Sequence, residues 1–304
     1  MLKAKFKIYY TVFLYASILF FVYYLARQDY LQLSKIRFQP WILTGSILLL
    51  WSGFFVSTLS WRKALAVHGM HIPPRIAVYS HGISVLGKYL PGKIWVIFGR
   101  AFPVTSNNQD LQRATLASLK EQLLYLFLGL LISFIPVVIL YPLGYVTLIL
   151  LITLTLLGLF LFFPGIHKLS VSLLKRIIRK ELNFPVITFG QSLQMGRIIM
   201  VYWILWSSGF YLFLLSFANN VLWIQAFAFP LSVCYGVMAI IFPGGLGIRE
   251  GIMTGFLVLT GMPVETATTI SVLNRLWFIT GELFIFTLAF FLRPKNIDTK
   301  TCDQ

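Results

Sequence analysis

The chain has 304 residues, 58% of them hydrophobic and only 11% charged, and its mean hydropathy of +0.83 excludes an ordinary soluble domain in favour of an integral membrane protein. Its net charge of +16 does not indicate a nucleic-acid partner, because Lys and Arg gather in short clusters between apolar runs, as orientation signals and contacts to anionic lipid do. Two cysteines, Cys234 and Cys302, supply neither a disulfide framework nor a metal set, and no cofactor is expected.

In chain order, MLKAKFK precedes an apolar run, Ile8–Leu25, that exceeds a signal-peptide core and is followed by no small-x-small cleavage site, so it reads as an uncleaved first span. Trp41–Leu59 is a second span, with Trp41 and Trp61 placed as interface anchors before the polar stretch WRKALAVHGMHIPPR. Ile76–Phe102 is less apolar and is broken at Pro91-Gly92; neither arm reaches the about 20 residues that a spanning helix needs. It reads as a re-entrant hairpin or broken helix with Lys88 and Lys93 at its tip, an arrangement tolerated at depth only inside protein or beside a wet cavity. Thr115–Ile135 spans and carries Lys120 and Glu121 near its start.

Leu143–Phe163 has no charge and reads as lipid-facing scaffold. His167–Leu182 (HKLSVSLLKRIIRKEL) is basic and amphipathic, suited to the membrane surface. Ile198–Phe217 spans again. Trp223–Gly261 holds a second break, IIFPGGLGIREGI, although Trp223–Phe242 alone has spanning length. Here Pro243 lacks an N–H, Gly244, Gly245 and Gly247 favour unusual backbone angles, and Arg249 and Glu250 follow where only apolar side chains would be expected. Ionisable residues at that depth are a functional-site hypothesis by default. Ala267–Leu292, with Arg275 and Glu282 two turns apart on one face, is the last span.

Counting Lys and Arg places both termini on the cytoplasmic side, with Arg27, Lys35 and Arg37 against the trend. Pro91-Gly92 and Pro243-Gly244 lie 152 residues apart, half the chain length, and each follows two spans and precedes one. The expectation is a single membrane domain, 1–304, of two half-repeats, 1–142 and 143–304, in inverted topology, with about six spans and two re-entrant hairpins. The helix that follows each Pro-Gly would turn its N-terminal N–H groups and dipole toward an anion. Lys88, Lys93, Arg100, Arg249 and Arg275 add positive charge, with Glu121, Glu250 and Glu282 as counter-charges. Such a site suits a phosphate-bearing headgroup whose chains stay in lipid; structural pairing and snorkelling are the plainer fates of each basic residue.

Enzyme signatures are weak. His68, His71 and His81 have no accompanying Cys or carboxylate, and no P-loop, nucleophile elbow or HExxH is present. Asp29 alone is placed where a membrane-embedded glycosyltransferase would want a carboxylate.

KYLPGKIW (Lys88–Trp95), FPGGLGIRE (Phe242–Glu250) and LNRLWFITGE (Leu273–Glu282) resemble the membrane region of the lysylphosphatidylglycerol synthase family over nearly the whole chain. That resemblance implies a flippase-like role, with Lys93, Glu121, Arg249, Glu250 and Arg275 at the family's polar positions and Asn274 beside them. The soluble aminoacyl-transfer domain of bifunctional members is not in this sequence, so a synthase activity is not expected. The expected site is Lys88, Pro91, Gly92, Lys93, Arg100, Glu121, Pro243, Gly244, Gly245, Arg249, Glu250, Asn274, Arg275 and Glu282, and the expected partners are anionic or zwitterionic membrane lipids in a cell (inner) membrane. The cargo would be a modified phospholipid or a polyprenyl-phosphate glycolipid. The alternatives are an accessory subunit of a lipid-modifying or glycosyltransfer complex, and a membrane-embedded glycosyltransferase.

Overall fold

A computed structural model describes residues 39–89, 94–105, 108–142, 144–165, 188–239 and 242–294. The run Ile8–Leu25, Asp29, Pro91, Gly92, Lys93, the amphipathic stretch His167–Leu182 and Cys302 all lie outside them. Among the described residues the chain is helical, without strands. Five helices among them are long and apolar enough to cross a membrane: α1 (Pro40–Val67), α4 (Asn108–Leu140), α5 (Tyr145–Phe162), α6 (Phe189–Phe217) and α9 (Val264–Phe291). The protein is a multi-pass, all-α membrane protein.

The ends of these helices have local causes. Pro40 sits in the first turn of α1, where its missing N–H costs nothing. The helix runs eight residues past Leu59, because Arg62 to Val67 continue the spiral until Gly69 takes φ +79°. There the amides of Gly69 and Met70 bond back to Ala66 and Leu65, which satisfies the last carbonyls. Gly261 and Met262 close the preceding helix in the same way, on Val258 and Leu257. α6 begins at Phe189, nine residues before the apolar run Ile198–Phe217, because Thr188 and Gln191 form a reciprocal capping box.

Between the spans lie two broken segments. The first is α2 (Pro74–Ser84), a 3₁₀ turn (Val85–Tyr89) and α3 (Ile94–Ala101). The second is a 3₁₀ turn (Trp223–Phe227), α7 (Ala228–Met238), a 3₁₀ turn (Pro243–Gly245) and α8 (Ile248–Leu259). At 1.5 Å per residue none of these four helices exceeds roughly 18 Å, against the about 30 Å of a hydrocarbon core. The run Trp223–Phe242 therefore does not form one span: its helix stops at Met238, where Ala239 leaves the helical region at ψ 74°.

α1 and α6 make the most extensive helix pair, and α9, α7 and α4 close around them. Trp61, Trp203, Phe210, Phe213 and Phe229 are fully buried there. Trp41 is 87% exposed, as an interface anchor would be, but Trp61 is not one: its indole N–H donates to the Ser80 hydroxyl at 2.9 Å inside the bundle. α5 packs mainly on α4 and exposes Leu148, Ile152 and Leu156, which suits a lipid-facing scaffold.

Helix contacts without a hydrophobic drive rely on close approach at small residues. Gly82 is such a point, since a Cβ there would stand 2.5 Å from the Ile285 carbonyl oxygen and 2.6 Å from the Ala289 Cβ. Gly82→Ala is expected to cost about 1–3 kcal/mol by forcing α2 from α9. Gly255→Ala, on an open face of α8, should be neutral or gain about 0.5–1 kcal/mol from helix propensity. Thermal unfolding of the two variants in detergent measures the difference.

Candidate functional site

The second break is shaped by its glycines. Gly245 has φ +70°, and a Cβ on it would stand 2.6 Å from the Gly236 carbonyl oxygen and 2.8 Å from the Gly236 Cα. Both the angle and the space demand glycine, so the Pro-Gly-Gly turn can lie directly on α7. Gly236 itself gives room to Arg249, whose Cβ would be 3.2 Å from a Gly236 Cβ. The turn thus delivers Arg249 and Glu250, at the start of α8, into the bundle, where they are 6% and 8% exposed.

Once inside, those charges meet partners from α7, from α9 and from the turn itself. Arg275 on α9 approaches Glu250 at 3.1 Å and donates a second hydrogen bond, 2.8 Å, to the carbonyl of Gly244. The other oxygen of Glu250 accepts the N–H of Gly247 at 2.7 Å. Glu250 is therefore both a helix cap and an ion-pair partner, and the first free amide of α8, which the sequence offers to an anion, is already held by the helix's own carboxylate.

Lys88, in the turn after α2, is ion-paired to Glu282 on α9, which is 1% exposed. The Lys88 ammonium also lies 4.7 Å from the centre of the Phe278 ring. Arg249 lies 4.4 Å from that ring and 5.5 Å from Phe229. Phe278 thus carries cations from both broken segments. Arg275 and Glu282 share a stripe of α9 without pairing to each other; each takes its partner from a different broken segment. The two turns, Val85–Tyr89 and Pro243–Gly245, pack together at this point. Among the described residues the centre holds three cations, Lys88, Arg249 and Arg275, against two carboxylates, Glu250 and Glu282.

Several buried polar atoms on α9 have no hydrogen-bond partner among the described residues: Asn274 Oδ1, Trp277 Nε1 and one Arg275 guanidinium nitrogen. Groups of this kind are rare in membrane interiors, where each unsatisfied one costs several kcal/mol.

Arg100 and Glu121 do not join this centre. Arg100 pairs with Glu121 at 2.6 Å, bonds Ser118 through both its hydroxyl (2.6 Å) and its carbonyl (2.7 Å), and lies 4.5 Å over the Trp61 ring. This is a second buried cluster, which ties α3 to α4 and α1. Two of the described histidines have local hydrogen-bond partners. His68 bonds the Ala64 carbonyl at 2.7 Å, and burial holds its imidazole below the usual value; His81 bonds Ser57 at 3.1 Å.

The sequence did not reveal the aromatic floor. Phe229 and Phe278 were legible only as apolar, and Phe278 lies within LNRLWFITGE without any mark of its role. Pro243 and Gly244 supply the turn and one carbonyl; Lys93, Pro91 and Gly92 are outside the described residues.

The Arg100–Glu121 pair is expected to be structural. Glu121→Ala should cost about 3–5 kcal/mol by stranding a buried guanidinium, and the double change Arg100→Met with Glu121→Leu should recover most of it. A double-mutant cycle on unfolding in detergent reads both outcomes.

A family profile described as the lysylphosphatidylglycerol synthase TM region matches residues 8–280. No significant match was found among curated proteins or among solved structures.

Proposed function

The chain belongs to the family of the lysylphosphatidylglycerol synthase membrane region, and from that premise we propose that it translocates a polar, phosphate-bearing lipid between the leaflets. The cargo class is a modified phospholipid or a polyprenyl-phosphate glycolipid. The observation that carries this reading is the meeting of two broken segments around three cations and two carboxylates inside an apolar bundle.

A phosphate is the group that such a centre lacks. Its single negative charge balances the excess cation, and its oxygens accept from guanidinium donors that are poorly solvated in a bilayer. Arg249 and Arg275 offer planar, paired donors, and Lys88 a mobile point charge. In this reading the acyl or prenyl chains remain in lipid while the headgroup crosses, and the Lys88–Glu282 and Glu250–Arg275 pairs open and reclose around it. Pairing of the carboxylates in the absence of cargo keeps the site closed to water and ions. The two broken segments then act as re-entrant hairpins of an inverted repeat, each reaching the centre from its own face, with both termini cytoplasmic.

The test is headgroup accessibility in proteoliposomes that contain the purified chain and fluorescent phospholipids or polyprenyl-phosphate lipids. Wild type is expected to move at least one of these lipids. Arg249→Ala and Arg275→Ala should each slow it by roughly tenfold or more, the loss of about 1.4 kcal/mol or above for one charged hydrogen bond. Gly255→Ala is the folded control. No movement of any lipid by wild type, with co-purification of a partner, would overturn the proposal in favour of an accessory subunit. Full activity in both arginine variants would remove the centre from the mechanism.

A further inference from the structure

A groove of about 530 Å³ opens between α4, α5 and α6, and it shares no residue with the charged centre. Its walls include Leu124, Phe127 and Leu128 of α4, Phe162 at the end of α5, and Met200 of α6, and the one ionised side chain that lines it is Arg197. All three walls are helices long and apolar enough to cross a membrane. Its volume lies within the about 300–1,000 Å³ of small-molecule sites. An apolar cleft on the outside of membrane helices does not hold water, so lipid chains are its natural filling.

Arg197 stands at a telling depth. The residues of α6 that follow it, 198 to 217, extend about 30 Å at 1.5 Å each, which matches the hydrocarbon core. Arg197 thus lies at the boundary where headgroup phosphates begin, in an α6 wall that runs from Phe189 to Met200, with Leu124, Phe127 and Leu128 of α4 also lining the groove. It is exposed, and among the described residues no carboxylate forms an ion pair with it. Ser192, the neighbouring hydroxyl, is already engaged with the Thr188 carbonyl at 3.0 Å, which leaves the guanidinium as the ionised polar contact in the groove. Phe162 ends α5 on the same side, and the sequence that joins α5 to α6 contains Lys168, Lys175, Arg176, Arg179 and Lys180. Basic clusters beside a membrane helix enrich anionic lipid in the adjacent leaflet.

We propose that this groove binds an anionic phospholipid, with an acyl chain against Leu124, Phe127 and Leu128 and its phosphate held by Arg197. The site is separate from the translocation centre and stands whether or not the chain moves lipid. Charge complementarity selects the occupant: a zwitterionic lipid fills the apolar walls equally but offers Arg197 no net charge.

The experiment uses the full chain in phosphatidylcholine nanodiscs with a trace of either phosphatidylglycerol or phosphatidylcholine carrying a photoreactive group on the acyl chain. Cross-linked peptides are then mapped. The phosphatidylglycerol probe is expected to label the α4 and α6 walls about fivefold more than the phosphatidylcholine probe. Arg197→Ala should abolish that preference, Arg197→Lys should retain most of it, and Arg249→Ala should leave it unchanged. Equal labelling by the two probes, or an undiminished preference in Arg197→Ala, overturns the proposal. So does a thiol cross-linker that joins Leu193→Cys to residues 166–187 of the same chain in high yield, since that segment would then be the occupant.

Discussion

An ionised side chain at the centre of a membrane helix costs about 2.5–3.5 kcal/mol on insertion scales, and more where no water reaches it. That cost places the broken helices of this protein. The short helices α3 and α8 each carry into the bundle a charge that is met by one on the long helix that follows. Arg100 on α3 meets Glu121 on α4, and Glu250 on α8 meets Arg275 on α9. The order of elements is the same in both pairs, but the signs are exchanged. Without those partners, α3 and α8 would gain little from entering the bundle, since helices of eight and twelve residues are too short to satisfy a bilayer by themselves.

Aromatic rings do the remaining electrostatic work. Phe278 faces both Lys88 and Arg249, and Trp61 faces Arg100. A ring face attracts a cation without contributing a charge that must itself be compensated, so it suits a site where the carboxylates are fewer than the cations. The same rings continue into an apolar column through Phe54, Trp206 and Phe229. The floor of the charged centre is therefore also part of the packing core. A change at Phe278 alters the electrostatics and the fit of α9 against α1 and α7 together.

Much of this was legible in the sequence, and the gaps have physical reasons. Long apolar runs betray spans because the bilayer sets their length, so α1, α4, α5, α6 and α9 fall where hydropathy places them. Their ends were misjudged where polar residues continue a helix, as Arg62 and Lys63 do in α1, or where a capping box lies upstream, as Thr188 does. The break at Pro243 was visible because proline and glycine act locally. Partners were not: Lys88 and Glu282 are 194 residues apart, and nothing in either segment names the other. Trp61 was misplaced for a related reason. A tryptophan near the end of an apolar run looks like an interface anchor until a buried arginine and serine come to it from two other helices.

Among the described residues, Lys88–Glu282 is the ion pair that joins the first broken segment to the last span, and so joins the early part of the chain to the late part. The other two pairs each lie within one half of the sequence. They fix short helices to their own neighbours, while Lys88–Glu282 closes the ring of contacts between the halves. Movement of the first segment against α9 would strain this pair, and movement of α8 against α9 would strain Glu250–Arg275. On the translocation proposal, an anion arriving among Lys88, Arg249 and Arg275 would compete with Glu282 for its lysine. Ligand entry and release of the inter-half contact would then draw on the same charge, which is the coupling that a cycle of opening and closing requires.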